Sequence, residues 1–320
     1  MSDKTGIAWT NATWNPVTGC TKVSQGCKHC YAEREWARLS ANPKATAYFG
    51  RAFTDVACHE DRLDQPLRWQ KPRRIFVNSM SDLFHEDVPD AFIDQVFAVM
   101  ALAERHTFQV LTKRPERLCD YLNAKNREFL IGERAMPEVS KGDFGLLEWP
   151  IKNVWLGVSV EDQSTADERI PLLLQTPAAL RWVSAEPLLS KIDLTHLELD
   201  PFNYYNALTG DTIMLDRTII PMENTLSWVV AGGESGNFAR ALDSRFLYAL
   251  VSQCKNAGTP IFVKQLGYRF MDLDNAFYGA GIEAADKGRK LISRAGANME
   301  EWPEYLRVRE WPAAVGNVVV

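Results

Sequence analysis

The sequence predicts an α/β protein built as a partial or complete (β/α) barrel with loop insertions. Three observations predict it. Short, nearly continuous apolar segments alternate with amphipathic ones, the pattern of buried parallel strands and the helices that cover them. About seven such strands occur, a number that suits a βα barrel better than an all-helical or all-β chain. The polar residues able to do chemistry follow the strands rather than precede them, and in βα barrels the active site lies at the carboxyl ends of the strands.

In chain order, residues 6–10 (GIAWT) read as a short first strand that leads through 11–18 into a cysteine-rich loop. Residues 31–39 read as a helix with Trp36 and Leu39 on its apolar face. Residues 53–69 are helical in part, with Pro66 starting or interrupting a segment. The strand 74–78 ends at Ser79, Met80, Ser81 and Asp82 and is followed by a helix over 91–105. The strand 107–112 ends at Lys113 and Arg114, with a helix from Pro115 to Tyr121. The strand 153–160 ends at Glu161, with a helix over 166–174; the strand 180–185 ends at Glu186 and Pro187. The strand 226–231 ends at Gly232-Gly233-Glu234-Ser235-Gly236, with a helix over 245–255, and 260–263 ends at Lys264 and Gln265. Residues 125–150 and 200–223 carry loop signals and read as insertions that either cover the barrel mouth or are disordered. Residues 268–320 read as an irregular C-terminal segment over the barrel, making 1–320 a single domain.

Composition is that of an ordinary globular chain: 320 residues, 46% hydrophobic and 24% charged, enough to bury one large core. The formal charge of −5 gives no global attraction to nucleic acid, while leaving room for a local basic groove. No stretch is long and apolar enough for a membrane span and the first ten residues lack a signal peptide's pattern, so the expectation is a cytoplasmic protein with no membrane partner.

Cys20, Cys27 and Cys30 fall within eleven positions of one loop, with Gly19 and Gly26 each preceding a cysteine. Three close thiols without a secretory pattern suit a metal better than disulfides. Three is also one short of the usual four ligands of a structural zinc or an electron-transfer cluster. Such a site either recruits a distant residue or leaves one metal position open to a small molecule. Cys58, Cys119 and Cys254 are scattered and read as plain thiols, the Cys58-His59 pair being the one with a conceivable metal role.

Cys20, Cys27 and Cys30, with the aromatic Tyr31 after the last, resemble the cysteine motif of the radical S-adenosylmethionine superfamily. Cys27-Lys28-His29-Cys30 matches its last pair; the gap between Cys20 and Cys27 holds six residues where the superfamily usually has three. The chain as a whole is similar to a phage and bacterial protein family of undefined activity, named after phage products gp thirty-seven and gp sixty-eight and described as related to spore photoproduct lyase. Trp14-Asn15-Pro16, the cysteine loop, Asn78 to Asp82, Gly232 to Gly236 and Phe262 to Gln265 carry that likeness. The resemblance implies a barrel of radical S-adenosylmethionine type. It also implies a four-iron four-sulfur cluster on Cys20, Cys27 and Cys30, whose fourth iron is chelated by S-adenosylmethionine. By strand position it points to Ser79, Asp82, Ser159, Glu161, Glu186, Gly232, Gly233 and Glu234 for the S-adenosylmethionine. An electron donor of flavodoxin or ferredoxin type is implied as partner, and a nucleotide or nucleic-acid base as substrate.

Lys113, Arg114 and Lys264 suit a phosphate or substrate carboxylate, or else are solvated or salt-paired. Trp9, Trp14, Tyr31 and Trp155 either wall the site or are core. The two glycines at 232–233 also fit a tight turn and a helix start capped by Ser235. A second reading of the whole is a zinc-stabilised nucleic-acid or protein binding module, with His29 or His59 completing the three cysteines. A third is a hydrolase using Glu161 or Glu186, for which no nucleophile and base pair is recognisable.

Overall fold

The computed structural model describes residues 5–135, 147–200, 202–214, 219–221, 224–236, 238–271, 289–293 and 295–313. Seven strands form one sheet in chain order: β1 (Ala12–Trp14), β2 (Arg74–Val77), β3 (Thr107–Thr112), β4 (Val154–Ser159), β5 (Leu180–Ala185), β6 (Trp228–Gly232) and β7 (Ile261–Gln265). Every neighbouring pair is parallel. Because β1 and β7 are the two ends of that order, the barrel is partial.

Helices supply the crossovers: α1 (Tyr31–Ser40) after β1, α2 (Asp90–Leu102) after β2, α3 (Pro115–Asn123) and α4 (Arg127–Ala135) after β3, α5 (Gln163–Gln175) after β4, and α6 (Ser244–Ala257) after β6. The expected alternation of strand and helix is present.

Side chains alternate across each strand, and that alternation builds two separate cores. On β4, Val154, Leu156 and Val158 face outward into the large core shared with the helices, whereas Trp155 points into the lumen. The lumen core gathers Trp9, Phe76, Trp155, Leu180, Trp182, Trp228, Val230 and Phe262, contributed by five strands and the N-terminal segment. Its rings meet edge to face or tilted, with Trp9 5.3 Å from Trp182 and Trp182 5.4 Å from Trp228. Gly157 stands beside Trp182 in the sheet register, and a β-carbon there would come within 2.5 Å of the Trp182 ring. The strand keeps a glycine at that point because the indole occupies the space.

The amino-terminal end of the barrel is closed by the C-terminal segment. Trp311 stacks on Trp228 at 5.3 Å, and residues 308–310 hydrogen-bond along β7, Val263 donating to Val308 and Glu310 to Ile261. The exposed edge of the sheet is thereby covered.

Four expectations are corrected. Residues 6–10 are not a strand: pairing with β2 starts at Ala12, and upstream the chain turns, Thr10 N–H donating to Ile7, so that Ile7 and Trp9 fill the lumen instead. The described residues of 200–223 contribute to an antiparallel four-stranded sheet of Leu197–Asp200, Asn203–Tyr205, Asp211–Ile213 and Ile219–Pro221, while 201, 215–218, 222 and 223 lie outside the described residues. The described part of that sheet packs on α5 at the barrel wall, where Glu198 N–H donates to Asp167. In 125–150, the segment Arg127–Ala135 is helical, anchored by the buried Arg127–Asp94 pair at 2.7 Å, and residues 136–146 lie outside the described residues. Ser235 caps no helix; α6 starts at Ser244, capped by Asp243, whose side chain accepts from Arg245 N–H.

Of the C-terminal segment, 272–288 and 314–320 lie outside the described residues. Among the described residues no helix is long and apolar enough to cross a membrane.

Candidate active site

All seven strands end at the same face, and the chemistry-bearing residues gather there. After β1, Gly19 runs parallel to Ser81 and takes a φ of +93°, where a β-carbon would meet Asp55 O at 2.4 Å. The loop then carries Cys20, makes one 3-10 turn over Gln25–Cys27, and enters α1 directly after Cys30. Below it lies a cavity of about 380 Å³, joined to a smaller one of about 140 Å³ by a shared wall that includes Cys27, Cys30, Phe76, Leu111, Lys113 and Ser159. Cys20 opens on the smaller cavity, Cys27 and Cys30 on both. The larger volume lies within the range of pockets that enclose a drug-sized ligand.

All three thiols are free and half-buried. Burial pushes the Cys20 thiol up to about 12, aided by the Asp82 carboxylate and opposed by the Arg114 guanidinium 3.7 Å from its sulfur. Burial raises Cys30 as well. Cations bound at the loop would have to displace these protons, since thiolates are the ligating form.

The floor of the larger cavity is apolar, with Ile7, Trp9, Phe76 and Leu111, and its wall is polar. On that wall Lys264 Nζ lies 3.0 Å from Glu186 Oε1, and Ser184 Oγ donates to Glu186 Oε2 at 3.5 Å. Ser159 stands beside Ser184 in register on the inward face. Gly233 also lines the cavity; a β-carbon there would meet Leu266 O at 2.4 Å, so its backbone passes close to the turn after β7.

Several residues assigned by strand position to S-adenosylmethionine have other partners. Glu161 is fully buried and lines neither cavity: its carboxylate takes Lys113, Arg169 Nη1 at 3.4 Å and Ser24 Oγ at 3.0 Å. Asp82 accepts from Thr112 Oγ1 at 2.7 Å, from the Lys113 and Phe84 amides and from Arg114. Glu234 borders the cavity but is paired with Arg240. Ser79 Oγ donates to Asn15 Oδ1 at 3.2 Å on the smaller cavity, and Gly232 lines neither. All three basic residues read as phosphate or carboxylate binders border a cavity and all are salt-paired: Lys113 with the buried Glu161, Arg114 with Asp82 and Glu86, and Lys264 with Glu186, whose carboxylate also lines the larger cavity. Trp14 belongs to the outer core, its indole donating to Arg62 O, so it walls no part of the site, and Trp155 is lumen core.

Ser184 and Arg34 were not expected here. Ser184 precedes Glu186 by two residues on one strand face, and Arg34 follows Cys30 by one helical turn and donates to Ser235 O at 3.1 Å; both spacings were readable in the chain. His29 lines the larger cavity. Cys58 pairs with Val17 in a two-residue ladder, and His59 contacts Thr18 Oγ1 at 2.8 Å. Among the described residues no group of three or more His, Cys, Asp or Glu side chains converges on a single metal ion.

His59 makes a pH prediction. Burial, with Arg62 and Arg51 nearby, holds its imidazole down to about 4. The unfolded chain, with an ordinary histidine, takes the proton first, so stability is present above about pH 6.5 and is lost as pH falls toward about 4. Allowing for partial exposure, His59 contributes on the order of 2 kcal/mol to that loss. His85 and His106 shift in the same direction, each through burial, so His59→Gln is expected to flatten only part of the slope in melting temperature between pH 7 and pH 4. An unchanged slope would show that His59 is not a neutral, desolvated group.

A radical S-adenosylmethionine cofactor set can be tested against these residues. Each of three cysteines on such a cluster ligates a different iron, so their sulfurs surround a body of several atoms and need not converge on one point. Three free, half-buried thiols ringing a pair of joined cavities fit that donor arrangement. Among the described residues neither His29 nor His59 joins the three thiols in a group that could hold a single ion.

No curated protein matches this chain. Among solved structures, it is similar to a spore photoproduct lyase carrying a cysteine-to-serine substitution, at 11% identity and a TM-score of 0.35, over 58% of this chain and 48% of that one. The chain thus spans about half the length of that structure, and at this level of likeness no activity transfers. A family model matches residues 4–302, and the chain belongs to that family, described as a protein of unknown function (DUF5131).

Proposed function

We propose that this protein is an enzyme of radical S-adenosylmethionine type, built as one domain over 1–320. The observation that carries the reading is the placement of Cys20, Cys27 and Cys30. They stand at the carboxyl-terminal mouth of a parallel partial barrel, Cys27 and Cys30 opening on a cavity with an apolar floor and a Glu186–Lys264 wall and Cys20 on the smaller cavity beside it. Cys20, Cys27 and Cys30 would hold a four-iron four-sulfur cluster. Together with bound S-adenosylmethionine, such a cluster would supply one-electron reductive cleavage of a carbon–sulfur bond, with methionine as the leaving group and a 5′-deoxyadenosyl radical as the other product.

The chain's own residues bind, orient and exclude water. Glu186 and Lys264 offer one carboxylate and one ammonium to a zwitterionic ligand, Ser159 and Ser184 offer hydroxyls, and the Gly233 backbone allows close approach. Ile7, Trp9, Phe76 and Leu111 keep the deep end dry. A floor with the Trp9 and Phe76 rings, set edge to face, offers an apolar surface to a nucleotide or nucleic-acid base as substrate. The electron would come from a protein of flavodoxin or ferredoxin type.

The test is anaerobic reconstitution with iron and sulfide, then S-adenosylmethionine and a strong reductant, with 5′-deoxyadenosine as readout against a C20A/C27A/C30A control. Cysteine-dependent 5′-deoxyadenosine is the expected result. A colourless protein that retains no iron would overturn the proposal.

A further inference from the structure

Six residues separate Cys20 from Cys27, and four of them are gripped by charged side chains from three different strand ends. From the ends of β2 and β3, Arg114 is held by Asp82 at 3.3 Å and by Glu86 at 3.1 Å. It reaches Thr21 Oγ1 at 2.8 Å. From the end of β4, Glu161 accepts from Ser24 Oγ at 3.0 Å, and its carboxylate lies so close against Gly26 that a β-carbon there would stand 2.4 Å from Oε1. From the end of β6, Arg240 is held by Glu234 and donates to Gln25 O at 2.9 Å. Each gripping group is itself fixed by an opposite charge, and Asp82, Glu161 and Glu234 are all buried.

A long gap between ligands has more conformations to lose on binding than a short one, and pre-ordering it removes that cost from the binding step. We propose that the protein holds the span between Cys20 and Cys27 in its ligating shape before any cofactor arrives, with Arg114, Glu161 and Arg240 as its positioning residues. The inference rests on the reading of this loop as the cofactor loop. It assigns to Glu161 and Glu234 work on the protein instead of on S-adenosylmethionine, and leaves Glu186 and Lys264 as the charged pair that meets the ligand.

Lys22 and Lys28 sit within the loop, both exposed, so trypsin reports its order directly. The experiment digests the full, metal-free chain and follows by mass the fragments that end at Lys22 and Lys28, alongside the melting temperature. The comparison is wild type against Ser24→Ala/Arg240→Gln, two changes that release the loop without emptying the buried Glu161 site. Slow cutting at both lysines in wild type, at least ten-fold faster cutting in the double variant and similar melting temperatures are expected. Wild-type cutting as fast as the double variant's would overturn the proposal.

Should the double variant melt early, Ser24→Ala decides: faster cutting that Ser24→Thr reverses supports the clamp, and equal cutting in all three overturns it. Failure of the cofactor reading would look different. The metal-free loop would still resist trypsin, while iron and sulfide failed to bind.

Discussion

Cys27→Ala is expected to lose iron and sulfide on anaerobic reconstitution and to form no 5′-deoxyadenosine above background. The fall should exceed about 100-fold, more than the loss of an outer partner of a metal ligand produces. Cys27 is the central position of the three, opening with Cys30 on both cavities, while its own sulfur has only Ser24 Oγ within reach at 3.9 Å. Removing it therefore takes a ligand and little packing, and the melting temperature of the metal-free protein should hardly move. Cys119→Ala, at a half-buried thiol on α3, is the matched control and should retain iron and product. Full iron content and turnover in Cys27→Ala would remove the loop from the chemistry altogether.

Glu161→Gln is expected to be the most destabilising of the charge-neutralising changes at the mouth. Its carboxylate is wholly buried between Lys113 and Arg169, whose side chains are 19% and 3% exposed. Neutralising it leaves two desolvated cations facing each other. Removing one partner of a buried ion pair costs about 3 to 5 kcal/mol, because the remaining charge is uncompensated. Glu234→Gln, by contrast, leaves Arg240 nearly a third exposed and able to find water, and should cost closer to 1 kcal/mol. Denaturant unfolding of the two variants separates the cases. Equal midpoints for both would mean that water reaches Lys113 and Arg169 and that the triad is not the buried unit described.

The strands and most helices were legible because burial on both faces writes itself as apolar runs, as in β4 and β6, where every residue is buried. The clustering of polar residues at strand ends was legible for the same reason. What a charged residue does once there was not. Glu161 looks like Glu186 in the chain, each acidic directly after a strand or one residue beyond it. The difference lies in which cation reaches it: Lys113 comes from another strand end and Arg169 from α5, and no local pattern couples them. The antiparallel sheet over Leu197–Pro221 was missed because its strands are three or four residues long, too short for a period of two to stand out. Residues 6–10 misled in the opposite way. Ile7 and Trp9 alternate as a strand would, but both are taken by the lumen.

The indole-filled lumen has a kinetic consequence. With Trp155, Trp182 and Trp228 packed beneath Trp9, and Trp311 stacked on the far end, the described residues close the cavity's deep end and leave it open toward the strand ends. Whatever rests on Trp9 and Phe76 has to arrive before anything that sits above it and depart after it. Binding would be ordered, and the outer molecule would act as a cork on the inner one. Excess of the outer ligand, added first, should therefore slow the reaction instead of speeding it.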